Sequence, residues 1–81
     1  MNEQETLSPE LTYGQKAVGL TFNPSGDPRV QRVKELYAAA IDLIAADFPA
    51  EPCERGAMLK EAIRYAQTAQ MWAVKAFTWK D

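Results

Sequence analysis

Tyr13, Lys16, Phe22, Asn23, Ser25 and Lys34 are the side chains of this sequence from which a binding site for a small anionic aromatic ligand could be built. The rings can stack on a base, the lysines can meet phosphate, and the short polar groups can reach base edges or ribose. Stacking on an aromatic ring is worth roughly 1–3 kcal/mol per base, so two rings would carry much of the affinity for a small nucleotide. The stretch Leu20–Pro28 lies at the centre of this set. Pro24 and Pro28 fix φ, Gly26 opens backbone geometries closed to other residues, and Asn23, Ser25 and Asp27 suit turns and caps. Asp27-Pro28 also reads as an N-cap followed by proline at the first helical position, where backbone N–H groups favour anions. Singly, each residue has an ordinary structural role open to it: Tyr13 in a core, Phe22 as a hydrophobic staple, Lys16 and Lys34 in solvent.

Other chemistries find less support. The chain has no histidine, which removes the commonest general base and the imidazole metal ligand. Glu51 with Glu54, or Glu35 with Asp42, could pair as acid and base, but both pairs sit on charged surfaces, where a structural role is expected of them. Cys53 lies between Glu51 and Glu54, with Arg55 the nearest cation, and it has no second cysteine to pair with, so it is not expected to act as a nucleophile. Phe22-Asn23-Pro24-Ser25-Gly26 lacks the Gly-Lys-Ser/Thr ending of a P-loop. The expectation is a protein that binds without catalysing, with no metal and no cofactor.

At 81 residues the chain is one small domain, near the size at which a single core only just suffices, so support from other copies or a partner is expected. The polar, acidic start Met1–Thr6 is unlike a targeting peptide, and no apolar run is long enough to span a bilayer. A net charge of −2 argues against coating long nucleic acid, though not against one small anion. A flexible segment over 1–7, a single helical-hairpin domain over 8–81, no membrane partner and a cytoplasmic location follow as expectations.

The elements that must position the candidate residues are helical. Ser8-Pro9-Glu10 predicts a short helix from about Pro9 to Ala17 or Val18, which Gly14 weakens and Gly19 ends. Tyr13 and Lys16, three apart, share a face of it. From Pro28, Val30, Val33, Tyr37, Ala40, Ile41, Ile44 and Phe48 recur at helical spacing, with Leu36 and Leu43 widening the apolar surface. Arg29, Arg32, Glu35 and Asp42 form the solvated face. Phe48–Pro52 stops this helix. A second long helix runs from Pro52–Glu54 to Phe77 or Trp79. Ala62, Ala66, Ala69, Ala73 and Ala76 make a seam of small residues along it, beside a row of Ile63, Gln67, Gln70, Val74 and Phe77. Trp72 and Trp79 read as packing or interface residues, with Lys75 a snorkelling cation among them. The fold class is all-α: a short N-terminal helix, an ordered loop and a long antiparallel hairpin, apolar on more sides than one partner helix can cover.

Phe22-Asn23-Pro24-Ser25-Gly26, Val33-Lys34-Glu35-Leu36 with Ile41-Asp42-Leu43-Ile44, and Thr68–Ala76 resemble the phage anti-CBASS cyclic-nucleotide sponges, whose helical hairpin is shared with anti-Thoeris sponges. The resemblance covers about residues 12–79. It implies a homohexamer in the host bacterial cell that sequesters cyclic dinucleotides such as 3′,3′-cyclic GMP-AMP without cleaving them. It further implies a stacking tyrosine and a ligand-contacting lysine, for which Tyr13 and Lys34 are the matching positions, with Phe22 the alternative ring. A second site for cyclic trinucleotides is implied at Arg64 and Thr68. Lys16, Asn23, Pro24, Ser25 and Gly26 complete the expected ligand-binding set. The alternative is an oligomeric helical adaptor that docks on a partner protein, its loop a cap and nothing more.

Overall fold

The computed structural model describes residues 10–81, which form three helices: α1 (Tyr13–Ala17), α2 (Pro28–Ala45) and α3 (Glu54–Phe77). No strand occurs among the described residues, so the all-α expectation holds. The expected flexible segment over 1–7 and the start signal at Ser8-Pro9 lie outside them.

Helix α1 begins later than Pro9, because the local hydrogen bonds favour Thr12 as its cap. Gln15 N–H donates to Thr12 Oγ1 at 3.1 Å while Thr12 N–H donates to Gln15 Oε1 at 2.9 Å, a reciprocal capping box that satisfies two otherwise orphaned donors. Its end is where the glycine predicts. Gly19 takes φ 64°, and Leu20 N–H and Gly19 N–H donate to Gln15 and Lys16 carbonyls at 3.0 and 3.1 Å.

Gly14 does more than weaken this helix. It is buried where α1 crosses α2, and its N–H donates to Asp42 Oδ1 at 2.6 Å. A Cβ there would overlap the Ala38 carbonyl oxygen and lie 2.9 Å from Asp42 Cγ. Only glycine lets the two backbones approach this closely. Asp42 is therefore half-buried and tied to α1, not part of the solvated face that periodicity suggests.

Helix α2 starts as expected, with Asp27 Oδ1 accepting from Arg29 N–H at 2.8 Å and Pro28 at the first position. Its buried line is Val30, Lys34, Ala38 and Ile41, with Val33, Tyr37 and Ile44 half-buried beside it. Ala40 is exposed because α1 and α3 both pack on the other side. The helix stops at Ala45, so Phe48 belongs to the following turn and not to the helical stripe. Arg55 closes that turn, donating to the Asp47 carbonyl at 3.0 Å and to its carboxylate.

Helix α3 has the expected bounds. Its inward line, Leu59, Ile63, Ala66, Gln70, Ala73 and Phe77, alternates steps of four and three and straddles the two rows seen in the sequence. Ala69 and Ala76 are exposed. At its C-terminus the Arg29 guanidinium lies 4.9 Å from the Phe77 ring centroid and donates to the Phe77 carbonyl at 3.1 Å, stapling the start of α2 to the end of α3. The same guanidinium holds the Asp27 carboxyl below its ordinary range by hydrogen bonding.

Val18, Ala38, Ile41 and Ile63 form one small core under Leu20, Tyr37 and Ile44. At about 1.5–3 kcal/mol for each large aliphatic side chain, this is a slender source of stability for a slab 46 × 43 × 12 Å in extent. A Gly14→Ala variant is expected to lose about 3 kcal/mol, because backbone rather than a flexible side chain must move. In thermal denaturation followed by circular dichroism this reads as a drop of roughly 10–20 °C.

Candidate functional site

The loop between α1 and α2 is built around Lys34. Four residues into α2 from Val30, Lys34 falls on the buried line and is only 5% exposed. Its ammonium donates to the Gly19 carbonyl at 2.9 Å and to the Phe22 carbonyl, and lies 5.7 Å from the Phe22 ring centroid. Burial pushes its pKa below the ordinary 10.5. Neither carbonyl brings a full negative charge, so the cation is held by dipoles.

The rest of the loop is satisfied from within. Ser25 Oγ donates to Asn23 Oδ1 at 2.8 Å and accepts from Asp27 N–H at 3.1 Å, while Asn23 Nδ2 donates to the Asp27 carbonyl at 3.2 Å. Gly26 N–H closes the turn on the Asn23 carbonyl at 3.1 Å, and Gly26 takes φ 68°, a geometry glycine alone adopts easily. Asn23 and Ser25 thus shape the loop, and Pro24 fixes its φ at the centre of the turn.

Phe22 is 71% exposed, which overturns the staple reading: the ring stands out from a fixed loop instead of covering the start of α2. It borders two hollows. One of about 540 Å³ is shared with Lys16, Lys34 and, from α3, Gln67, Gln70 and Met71. The other, of about 210 Å³, has Asn23, Pro24, Ser25 and Lys34 on one side and Val74 and Thr78 on the other. Lys16, Phe22 and Lys34 are therefore brought together, as the sequence suggested. Gln67 and Gln70 were not foreseen as site residues. Their signal was present, two amides in a row otherwise facing a core, and Gln67 Nε2 now fastens α3 to the Ala17 carbonyl at 3.1 Å.

Tyr13 stands elsewhere. At 53% exposure it is not a core residue, and it lines a separate groove of about 380 Å³ with Phe48, Ile63, Lys60 and Arg64. Arg64 donates to Gln67 Oε1 at 3.1 Å, and Thr68 Oγ1 donates to the Arg64 carbonyl at 3.0 Å; both candidates for a second site are exposed on α3, with Arg64 at the edge of the Tyr13 groove. Lys60, beside Tyr13 and Arg64, is a cation that the sequence reading passed over.

Among the described residues no His, Cys, Asp or Glu cluster could hold a metal, and no helix is long and apolar enough to cross a membrane. The Acb2/Tad1 hairpin domain matches residues 15–78, which span α2, α3, the loop and most of α1. The chain belongs to the Acb2/Tad1 hairpin family. Comparison with curated proteins and with solved structures finds no match. The family is one of anti-defence sponges for cyclic nucleotide signals in general, and the Lys34 loop lies inside the matched region.

Replacing Lys34 with methionine leaves the Gly19 and Phe22 carbonyls without their donor, and a loss of about 1–3 kcal/mol is expected in urea unfolding. The pH dependence has a definite sign. Between the lowered folded pKa and 10.5 the unfolded chain binds more protons at Lys34 than the folded one, so this residue's contribution to stability rises with pH there. The stability gap between wild type and Lys34→Met is expected to widen as the buffer is raised through that interval.

Proposed function

We propose that this protein is a phage anti-CBASS sponge: it binds cyclic dinucleotides such as 3′,3′-cyclic GMP-AMP in the cytoplasm of the infected bacterium, holds them without cleavage and withholds them from the immune effector. The observation that carries the reading is the buried Lys34 ammonium, with an exposed aromatic ring fixed beside it and a second cation, Lys16, on the rim of the same hollow. Two of the three ammonium donors serve the loop carbonyls; the third is available for a phosphate oxygen. Phe22 supplies a face for a base, and the loop needs no rearrangement to present it, which lowers the entropic cost of binding.

Tyr13 and Lys34 border different hollows of the same chain. A site that uses both is therefore completed between subunits, which favours a closed oligomer, a hexamer by family resemblance. Arg64 and Thr68 form a further site for cyclic trinucleotides in this reading.

Isothermal titration of the folded protein with 3′,3′-cyclic GMP-AMP tests the proposal. Binding is expected, with the nucleotide recovered intact after denaturation, and with Phe22→Ala and Tyr13→Ala each weakening affinity roughly 5- to 150-fold. Absence of heat with every cyclic dinucleotide would refute the sponge reading. A cleaved product would refute its non-enzymatic part.

A further inference from the structure

Two amides stand about one turn apart on α3, Gln67 and Gln70. Gln67 serves the fold: its Nε2 donates to the Ala17 carbonyl and its Oε1 accepts from Arg64, each at 3.1 Å. Gln70 is only 4% exposed, yet its side-chain amide makes no hydrogen bond to any described residue. No fully enclosed polar side-chain atom among the described residues lacks a partner, so the Gln70 amide reaches open space. The space that Gln70 lines is the hollow of about 540 Å³ beside Phe22. Burial removes most of the water around this amide, and the described residues offer no hydrogen bond in its place. A ligand in the hollow can supply one.

We infer that Gln70 reads the edge of a base there and selects adenine over guanine, an assignment that rests on the nucleotide-binding reading of that hollow. The volume falls within the range of about 300–1,000 Å³ usual for small-molecule sites. The lining divides by chemistry. Lys16 and Lys34 suit phosphate, Phe22 and Met71 suit the face of a ring, and Gln70 is the polar side chain left for the edge of the base.

An amide carries a donor and an acceptor in one plane. Adenine presents the complementary pair, so Gln70 Oε1 can accept from N6–H while Nε2 donates to N7. Guanine shows two acceptors, O6 and N7, on the same edge, and an amide can satisfy only one of them. On its other edge the amide can meet O6 and N1–H, which leaves the N2 amino group in need of an acceptor. No Asp or Glu lines the hollow, and both lysines are donors only. The Ala17, Gly19 and Phe22 carbonyls already accept from Gln67 and Lys34. Guanine therefore enters with an unpaired donor, which costs affinity.

Isothermal titration of the full chain with 3′,3′-cyclic di-AMP and 3′,3′-cyclic di-GMP tests the assignment, with circular dichroism as the control for folding. The wild type is expected to bind cyclic di-AMP roughly 5- to 150-fold more tightly than cyclic di-GMP. Gln70→Leu is expected to weaken cyclic di-AMP by a similar factor and to remove most of the preference. Gln70→Glu is expected to reverse the order, because the introduced carboxylate accepts from guanine N1–H and N2–H and has no donor for adenine N7. A wild type that binds cyclic di-GMP as tightly as cyclic di-AMP, or a folded Gln70→Leu variant that keeps the wild-type preference, overturns the role of Gln70 and leaves the sponge reading standing. A Gln70→Glu variant that still prefers cyclic di-AMP overturns the contact with the base edge. No heat from the wild type with either of these or with 3′,3′-cyclic GMP-AMP overturns the sponge reading and the role of Gln70 together.

Discussion

A single buried ammonium organises the N-terminal part of this protein. Lys34 sits on the line of α2 that periodicity reserves for apolar residues, and there it ties the exit of α1 at Gly19 and the middle of the loop at Phe22 to the long helix. Removing a cation from water costs several kcal/mol, and two carbonyl dipoles return only part of that. Burial of the cation next to an exposed ring is thus the feature of the fold that asks for a functional explanation.

The supports around it follow from the same economy of space. Gly14 lets α1 lie directly against α2, and Asp42 accepts its N–H, so a helix of five residues is held in place although it is too short to be stable alone. Arg29 fixes the other end by joining the loop's acid to the last carbonyl of α3. Between these two fastenings the loop's polar side chains bond one another, and Phe22 is carried on a rigid frame.

The surfaces left over are as informative as the core. Both long helices keep large apolar residues in solvent, Leu36 and Leu43 on α2 and Met58, Tyr65, Met71 and Trp72 on α3. A slab this thin has two broad faces and little interior, so one chain cannot cover them. Association between copies is the ordinary way for a chain of this shape to hide such faces.

The sequence by itself determined the helical hairpin, its starts at Asp27-Pro28 and near Pro52–Glu54, and the Gly19 stop, whereas it carried α2 to Phe48, past its end at Ala45. Capping, proline geometry and apolar spacing act over a few residues and can be read from neighbours in the chain. It also marked Phe22, Lys34 and the turn residues as a group, because they stand close in sequence around one loop. Only the tertiary structure decided that Lys34 is buried and Phe22 exposed, that Gly14 and Asp42 meet, and that Tyr13 belongs with Lys60 and Arg64 on a different groove. These depend on where α1 and α3 cross α2, and crossing is set by which side chains are small enough for backbones to touch, a relation between residues far apart in the chain.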